Sequence, residues 1–450
     1  MVDTNDFLFW GNSLGNEDPS TIERGSRKRQ GIMCCLTETE RPIGLVGWTG
    51  VEKYQDKAGS DMNALLQAVK GMSSDIQAVS AAAEQDCKTP APLINQLHAE
   101  GVFSMTVAKD YGGLELDAVD SLSVIEEIAY QESAVGWCSM IFATTAHLGS
   151  FLSPVWGQKI YGEGSRTAHF GGITAGAAAP SGKAVVVDGG LRVSGRWAWG
   201  SGSHHCDWIC GGTVVESDGE VLSHDNGAPL VHVVFFERDQ VELLDNWNPS
   251  GLRGTGSVDF VVDDVFVPDG RWTVLGVSKR QIDRPLFRFP FFGYFASAVA
   301  MVPLGIARRA IDEFHDLATK KTPAGRSSTL SQSSITQLHF GEAESMVEAA
   351  HTYLLGKVAQ VWQKVETGER VTLEDKRQLR LAASQATQLS AKAVDLLYNA
   401  AGGTALQGDC LLQKLFRDIH AATQHRMVSP ELLRLSAAAR ISEGANTAQL

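Results

Sequence analysis

The sequence predicts an α+β protein, because helical and β-type patterns occupy separate stretches of the chain instead of alternating. Residues 60–165 place apolar side chains at three- and four-residue steps, as amphipathic helices do. From His169 to Pro268 the chain is rich in β-branched and aromatic residues, interrupted by turn-forming glycines. Helical spacing returns at Phe292. This order argues against a doubly wound parallel sheet.

The 450 residues are long enough for two or three domains. We divide them into a flexible extension (1–53), an N-terminal helical domain (54–167), a central β domain (168–278) and a C-terminal helical bundle (279–450). The first stretch shows no clear hydrophobic period and is rich in Gly, Asn, Thr and charge, which is typical of a segment without a packed core.

Within the N-terminal helical domain, the apolar spacing predicts a helix over Met62–Ala83. Pro90 and Pro92 then open a second helix, since proline is tolerated in a first helical turn. Two more helices are predicted over Ala118–Tyr130 and Ser133–Phe151.

In the central domain, Ala184–Ser194 predicts a β-hairpin whose turn takes its positive φ from Gly189 and Gly190. Leu230–Glu237 is a dense β-branched and aromatic run, and Ser257–Val267 alternates up to a proline. Both are predicted to be strands.

Composition excludes several functions. The net charge is 39 − 52 = −13, so we expect no nucleic acid and no anionic membrane as a partner. Seven cysteines at irregular spacing in a chain of this size indicate a reducing compartment rather than a disulfide scaffold. No apolar secretory core stands near the N-terminus, so we expect a cytoplasmic protein.

One uncharged run, Phe289–Ala307, is 19 residues long and meets the length of a membrane span. A helix buried inside a bundle produces the same pattern. Because an isolated span in the middle of such a chain is improbable, and because Pro290 and Pro303 interrupt the run, we expect the buried helix.

His204 and His205 stand beside Cys206 and Cys210, and these are residue types that bind zinc. The stretch has the pattern of a strand, in which neighbouring side chains point to opposite faces. The sequence contains no second cluster of ligand residues that would complete a zinc site with it. We therefore expect no metal. The sequence also contains no Gly-x-Gly-x-x-Gly after a strand, no P-loop, no Gly-x-Ser-x-Gly and no His-Glu-x-x-His.

The most informative segment is Gly195–Trp208, which reads Gly-Arg-Trp-Ala-Trp-Gly-Ser-Gly-Ser-His-His-Cys-Asp-Trp. In a strand, Trp197 and Trp199 would lie on one face, and the hydroxyl of Ser201 would point the same way. Such a face offers an aromatic plane and a hydrogen bond to a flat heterocycle. A tryptophan pair packed in the core of a sheet is the alternative.

This segment resembles the flavin-contacting strand of the acyl-CoA dehydrogenase superfamily, and three other stretches agree with the family in the same order. They are Glu100–Gly113, Gly251–Ser257 with Asp263–Pro268, and Ala400–Gly403 followed by Arg417 and Asp418. The resemblance covers residues 90 to 440. It implies an acyl-CoA dehydrogenase-like fold: an N-terminal helical domain, a central β-barrel or sheet domain and a C-terminal four-helix bundle.

Two departures point to one branch of that superfamily. Gly172–Pro180 lacks the acidic residue that dehydrogenases carry there, and Arg426 stands about where their catalytic Glu would be. An arginine cannot abstract a proton. A histidine in this place, here His425, resembles the two-component flavin-dependent monooxygenases, a branch that includes the para-hydroxyphenylacetate hydroxylase.

That resemblance implies the oxygenase component of a two-component system. It would take reduced FMN or FAD from a separate flavin reductase, react it with oxygen, and hydroxylate a small aromatic or polycyclic substrate through a flavin hydroperoxide. The family assembly is a homotetramer.

The resemblance also implies cofactor-binding residues. Trp199 takes the place of the ring beside the isoalloxazine, Ser201 the place of the hydroxyl near flavin N5 and O4, and Thr174 a contact with the flavin edge. Gly402 and Gly403 belong to the C-terminal motif. Near the bundle, Lys321 and Arg326 are either contacts to the flavin phosphate of a neighbouring subunit or solvated surface.

Two histidines are catalytic candidates. An imidazole at His425 can hydrogen-bond the distal oxygen of the hydroperoxide or deprotonate a phenol. A surface histidine near the end of the last long helix is the alternative. His147 lines the substrate side or is a core histidine bonded to a backbone carbonyl.

Two other functions stay open. One is an acyl-CoA dehydrogenase-type flavin oxidoreductase that acts on an acyl thioester with a relocated base. The other is a non-catalytic binding module on the same fold. Reduction of the flavin by an acyl-CoA would identify the first, and a lack of flavin affinity would favour the second.

Overall fold

The computed structural model describes residues 60–162, 170–225, 227–442 and 447. Ala58–Leu450 form one compact unit. The predicted extension over residues 1–53 lies outside the described residues, and so does the predicted boundary at residues 167 and 168. The division into three domains stays a prediction, although helices, strands and helices do follow one another in the predicted order.

The described part of the N-terminal segment holds seven α-helices. They are α1 (Ser60–Gly71), α2 (Ser73–Ala78), α3 (Ser80–Asp86), α4 (Ala91–Ala99), α5 (Ala118–Gln131), α6 (Ser133–His147) and α7 (Pro154–Gly157).

Two predicted helix boundaries in this segment are wrong. The helix expected over Met62–Ala83 is broken at Met72 and at Val79, where Gly71 and serines weaken helix propensity. The α-helix expected to reach Phe151 ends at His147. The residues that follow, Leu148–Phe151, form a 3₁₀ turn.

The described strands form one mixed sheet. They are β1 (Thr174–Val187), β2 (Gly190–Gly200), β3 (Trp208–Ser217), β4 (Glu220–Val221), β5 (Val231–Glu237), β6 (Glu242–Leu243), β7 (Val258–Pro268) and β8 (Trp272–Val274). Their order is β6-β7-β2-β1-β3-β5-β8, with β4 paired to β3. β1 and β3 run parallel, and the other pairs are antiparallel.

The predicted hairpin is confirmed. β1 and β2 pair from Gly182 with Gly195 to Val187 with Gly190. Of the two predicted turn glycines, Gly189 has a φ of +72°, whereas Gly190 already belongs to the strand.

Trp197 forms the centre of the sheet core. Its ring stacks on Phe260 with centroids 5.1 Å apart, and its Nε1 donates to the Gly212 carbonyl at 2.7 Å. The ring fits because Gly211 has no side chain: a Cβ there would lie 2.6 Å from the indole.

The described C-terminal segment holds six helices. They are α8 (Pro285–Arg288), α9 (Phe291–Lys320), α10 (Ser334–Thr367), α11 (Leu373–Ala401), α12 (Leu411–Ala422) and α13 (Pro430–Ile441). α11 packs against α9, α10 and α12, while α9 also packs against α5 and α6 of the N-terminal segment.

The apolar run over Phe289–Ala307 falls largely in α9. Among the described helices, α9 alone is long and apolar enough to cross a membrane by length and composition. Within the structure, 78% of its apolar window is buried. Contact with α5, α6 and α11 therefore accounts for its composition, in line with the buried-helix interpretation.

Candidate active site

Three distant segments meet at Trp137, which α6 carries. Its Nε1 donates to Oγ of Ser201, just beyond the end of β2, at 3.1 Å. Its ring meets the imidazole of His425 edge-on, with centroids 5.5 Å apart, and Phe295 of α9 contacts the same imidazole at 5.5 Å. We call Trp137, Ser201, Phe295 and His425 the Trp137 cluster. Ser201 and His425, which were predicted from the sequence, thus both contact Trp137, which was not predicted.

His425 is partly exposed and has a fixed orientation. It precedes a 3₁₀ turn, and its Nδ1 accepts a hydrogen bond from the Met427 N–H at 3.2 Å. Because Nδ1 accepts, a neutral ring must carry its hydrogen on Nε2. Burial, together with the nearby Arg380 guanidinium, lowers the pKa of His425 to about 4. At neutral pH this imidazole is therefore an uncharged donor through Nε2.

Arg380 is a buried cation behind this turn. Its Nη1 donates to the carbonyls of Phe292 and Met427, both at 3.2 Å. Burial lowers the pKa of Arg380 to about 10. Among the described residues no carboxylate pairs with it. Its positive charge therefore disfavours protonation of His425.

A row of buried hydroxyls continues inward from Ser201. Its Oγ lies 2.7 Å from Oγ of Ser257, which lies 2.6 Å from Oγ1 of Thr255. Thr255 Oγ1 then donates to the Leu252 carbonyl at 2.8 Å. The loop that resembled the family's Arg-x-Thr/Ser motif therefore supports the Ser201 hydroxyl from behind.

A second buried group, the Lys414 cluster, fastens this loop to α6 and α12. Lys414 Nζ donates to Glu132 and to Asp418, each at 2.6 Å, and to Ser133 at 3.0 Å. Asp418 also accepts the N–H of Leu252 at 2.6 Å. The neighbouring charges raise the pKa of Lys414, so the ammonium is kept charged despite its burial.

The prediction that Trp197 and Trp199 share one face of the strand is wrong. Its φ of +63° lies in the left-handed region, and the register of β2 against β7 shifts between Trp197 and Gly200. This bulge turns Trp199 outward, 73% exposed, while Trp197 stays in the core. The core alternative thus holds for Trp197 alone, and the flavin contact of Trp199 stays a prediction.

His147, the last residue of α6, lies away from the Trp137 cluster in a box of rings. Phe287 and Tyr294 are 5.4 Å away, Phe291 is 5.7 Å away and Phe151 is 6.4 Å away. Neither ring nitrogen has a hydrogen-bond partner among the described residues, so the predicted carbonyl bond is absent there. Burial lowers the pKa of His147 to about 3. Its role on the substrate side stays a prediction.

Thr174 uses its hydroxyl inside the fold. Its Oγ1 donates to Oγ1 of Thr145 at 3.0 Å and accepts from the Tyr161 hydroxyl at 3.3 Å. The residue is buried. Its contact with a flavin edge stays a prediction that these hydrogen bonds do not favour.

Gly402 and Gly403 lie elsewhere, at the end of α11. Gly402 has a φ of +60°, and Lys321 beside it donates to the Ala401 carbonyl at 2.6 Å. A cavity of about 260 Å³ opens nearby and is lined by Arg326 and Ala400, among others. None of its lining residues belongs to the Trp137 cluster, so the structure separates the predicted cofactor residues into two places.

The histidine and cysteine segment is not the strand that its pattern indicated. Ser203–His205 is a 3₁₀ turn, which leaves His204 exposed and His205 buried. Cys206 and Cys210 are both buried. In the part of the chain that the structure describes, no three His, Cys, Asp or Glu residues are placed to hold a metal ion.

Sequence reasoning missed Trp137, Phe295, Thr255 and Ser257. The last two stood in a motif that was recognised, so their hydroxyls were a usable signal. Trp137 sits in a helix whose every residue is buried, and nothing in the local pattern separates it from core.

Two family models match the chain. The acyl-CoA dehydrogenase N-terminal domain matches residues 61–152, and the C-terminal domain matches residues 297–430. This chain belongs to the acyl-CoA dehydrogenase superfamily. The predicted family and its fold are confirmed.

Similar proteins in this superfamily are monooxygenases and hydroxylases. Indole-3-acetate monooxygenase of Pseudomonas putida is 28% identical over 334 residues, which cover 74% of this chain and 82% of that protein. The flavin-dependent monooxygenase oxygenase subunit HsaA of Mycobacterium tuberculosis is 28% identical over 382 residues, covering 82% and 93%. The crystal structure of 3-HSA hydroxylase from Rhodococcus sp. RHA1 is 25% identical with a TM-score of 0.77, covering 86% and 99%. The predicted resemblance to flavin-dependent monooxygenases is thereby confirmed.

Proposed function

We propose that this protein is the oxygenase component of a two-component flavin-dependent monooxygenase that hydroxylates an aromatic or polycyclic substrate. The observation that carries the proposal is the junction of Ser201 and His425 across Trp137. The comparisons support an oxidoreductase that uses reduced flavin. We assign FMN or FAD, a separate flavin reductase, a homotetrameric assembly and a cytoplasmic location as parts of the same proposal.

The residues present fit a flavin. Ser201 offers a hydroxyl, Trp199 offers an indole open to a ligand, and His425 offers an uncharged N–H donor. A reduced flavin held by these residues would supply the oxygen chemistry, which is the activation of O2 and the transfer of one oxygen atom to the aromatic ring. The rings of Trp137 and Phe295 cover part of the His425 imidazole, and a hydrogen bond that it donates is stronger where water is excluded.

The geometry supports one of the two predicted roles of His425. A base needs a free lone pair, but Nδ1 already accepts from Met427 and Nε2 carries the hydrogen. We therefore assign His425 as a hydrogen-bond donor to the reacting oxygen rather than as the base that deprotonates a phenol.

The dehydrogenase alternative lacks a base at this place. Arg426 is exposed, and no hydrogen bond of the Trp137 cluster among the described residues involves a carboxylate. Proton abstraction from an acyl thioester would need such a carboxylate.

The test supplies the protein with photochemically reduced FMN, ¹⁸O2 and a panel of phenols, indoles and polycyclic phenols. Mass spectrometry should find one ¹⁸O atom in a hydroxylated product. The same protein with oxidised FMN is then mixed anaerobically with a panel of acyl-CoA thioesters. Bleaching of the flavin there, without labelled product in the first experiment, would replace the proposal by the dehydrogenase function.

A further inference from the structure

Arg380 carries a buried charge that the described fold leaves without a counter-charge. The residue lies in α11 and is 1% exposed. Its partners are the carbonyls of Phe292 and Met427 and, at 3.7 Å from Nη1, the Met427 sulfur. Its Nε has no partner among the described residues. These neutral atoms accept hydrogens of the guanidinium, but they do not neutralise its charge.

The other deeply buried arginines of the structure are paired. Three of the described arginines are less than one-tenth exposed, namely Arg271, Arg377 and Arg380. Arg271 pairs with Glu237 at 3.2 Å, and Arg377 pairs with Glu374 at 2.6 Å. Pairing is the rule because an ion taken out of water loses more free energy than neutral hydrogen bonds return. Arg380 is therefore the exception that needs an explanation.

The unpaired charge lies directly behind the Trp137 cluster. Met427 connects the two groups, since its carbonyl accepts from Arg380 and its N–H donates to Nδ1 of His425, each at 3.2 Å. Phe292, whose carbonyl also accepts from Arg380, stands three residues before Phe295 of the cluster in α9. The charge therefore acts on whatever occupies the open side of His425.

The described charges close to His425 do not cancel this one. No acidic residue belongs to the Trp137 cluster, and the exposed Arg426 adds a second positive charge. The carboxylates of Glu132 and Asp418 are already bound by Lys414. An anion placed beside His425 would thus gain an electrostatic attraction that the fold itself does not use.

We propose that the substrate is an aromatic anion, a carboxylate or a phenolate, and that Arg380 is the residue that selects it over uncharged aromatic compounds. The inference rests on the proposed function, in which the substrate lies beside the reacting oxygen at His425. Arg380 does not touch the substrate, because its charge acts across the turn that separates them. The selected property is the charge of the ligand and not its shape.

The test is the binding of two probes that differ in charge but hardly in shape, a hydroxynaphthoate and the carboxamide of the same isomer. Anaerobic equilibrium dialysis on the full chain, with and without reduced FMN, gives a dissociation constant for each probe. The wild type should prefer the carboxylate by roughly tenfold, the attraction of two unit charges about 10 Å apart at an effective dielectric constant of about 20.

The variants separate the charge of Arg380 from its hydrogen bonds. Arg380→Met should abolish the preference, since only the carboxylate loses an attraction. Arg380→Lys keeps a positive charge and should recover part of the preference. A role confined to holding the turn would instead weaken both probes equally.

Arg309→Met is the matched control. It removes an arginine that pairs with Glu313 at 2.7 Å and lies about 25 Å along α9 from Phe292. This variant should keep the wild-type preference. If Arg380→Met loses its fold by circular dichroism, Arg380→Gln takes its place, because it keeps N–H donors for the two carbonyls without a charge.

The outcomes keep the two claims apart. Equal affinity of the wild type for the two probes, or no binding of either, would overturn the inference. A preference that survives in the uncharged variant would do the same, and so would one that disappears with reduced FMN present, since the flavin would then be the anion. Labelled product from the ¹⁸O2 experiment would leave the proposed function standing in each of these cases.

Discussion

His425 and His147 both lie among aromatic rings and both have a lowered pKa, but their nitrogens differ in what they can reach. His425 is partly exposed, and the Met427 N–H fixes which nitrogen keeps the hydrogen. His147 is enclosed by rings, and its nitrogens have no partner among the described residues. The comparison teaches that burial is the main reason why both histidines are uncharged, whereas one hydrogen bond and an open side set what His425 can do chemically.

The segments around the two histidines are also stabilised by different interactions. Aromatic rings pack around His147, whereas the charged Lys414 cluster connects the segments around His425. Lys414→Met should lower the free energy of unfolding by about 3–5 kcal/mol, because Glu132 and Asp418 would keep buried charges without a cation. Urea unfolding measures the loss. The control Lys320→Met removes an exposed pair with Asp316 and should leave the free energy of unfolding nearly unchanged. Equal effects of the two substitutions would show that the Lys414 cluster does not fasten the site.

Lowering the pH should reduce the free energy of unfolding through the enclosed histidine, His147. The pKa of His147 falls from 6.5 in the unfolded chain to about 3 in the folded protein. The unfolded chain therefore binds the proton first as the pH drops, and stability present above pH 6.5 is lost below it, by roughly 1.4 kcal/mol per pH unit. His147→Phe should flatten the decline of unfolding free energy between pH 6.5 and 4.5. Parallel curves for wild type and variant would contradict a buried neutral His147.

The open histidine, His425, should also affect the chemistry. His425→Phe should lower the fraction of reduced flavin that ends in hydroxylated product, rather than hydrogen peroxide, by roughly tenfold, the effect of a hydrogen bond of ~1.4 kcal/mol. His425→Gln keeps an N–H donor and should recover part of the loss, which a role as base does not allow. His147→Phe is the matched control and should couple as the wild type does. Product and peroxide yields measure all three.

Arg380 gives the smallest expected effect. Its charge contributes to the lowered pKa of His425, second to burial. Arg380→Met should therefore raise the pKa of His425 without reaching its ordinary value, and leave that of His147 unchanged. NMR of the imidazole resonances against pH would show it. An unmoved His425 titration would leave burial as the sole cause.

Much of the fold follows from the sequence because its signals are local. The Gly189 turn, the alternation of β7 and the apolar length of α9 each depend on neighbours a few residues apart. The breaks at Met72 and Val79 were missed, since the apolar period continues through them.

The site was predicted only in part. Ser201 and His425 were identified through family resemblance, but the contact between them passes through Trp137, which no periodicity marks. The outward turn of Trp199 depends on a bulge against β7, a long-range register that alternation along one strand cannot reveal.

The most direct test of the account mixes reduced FMN and this protein with oxygenated buffer in a stopped-flow instrument. The absorbance of oxidised flavin is followed over time, with Ser201→Ala and free FMN alongside. The account predicts a delayed return of oxidised flavin with the wild type, and a shorter delay in the variant. Oxidised flavin that forms in the presence of the wild type at the rate of the free flavin, with FMN and with FAD alike, would contradict it.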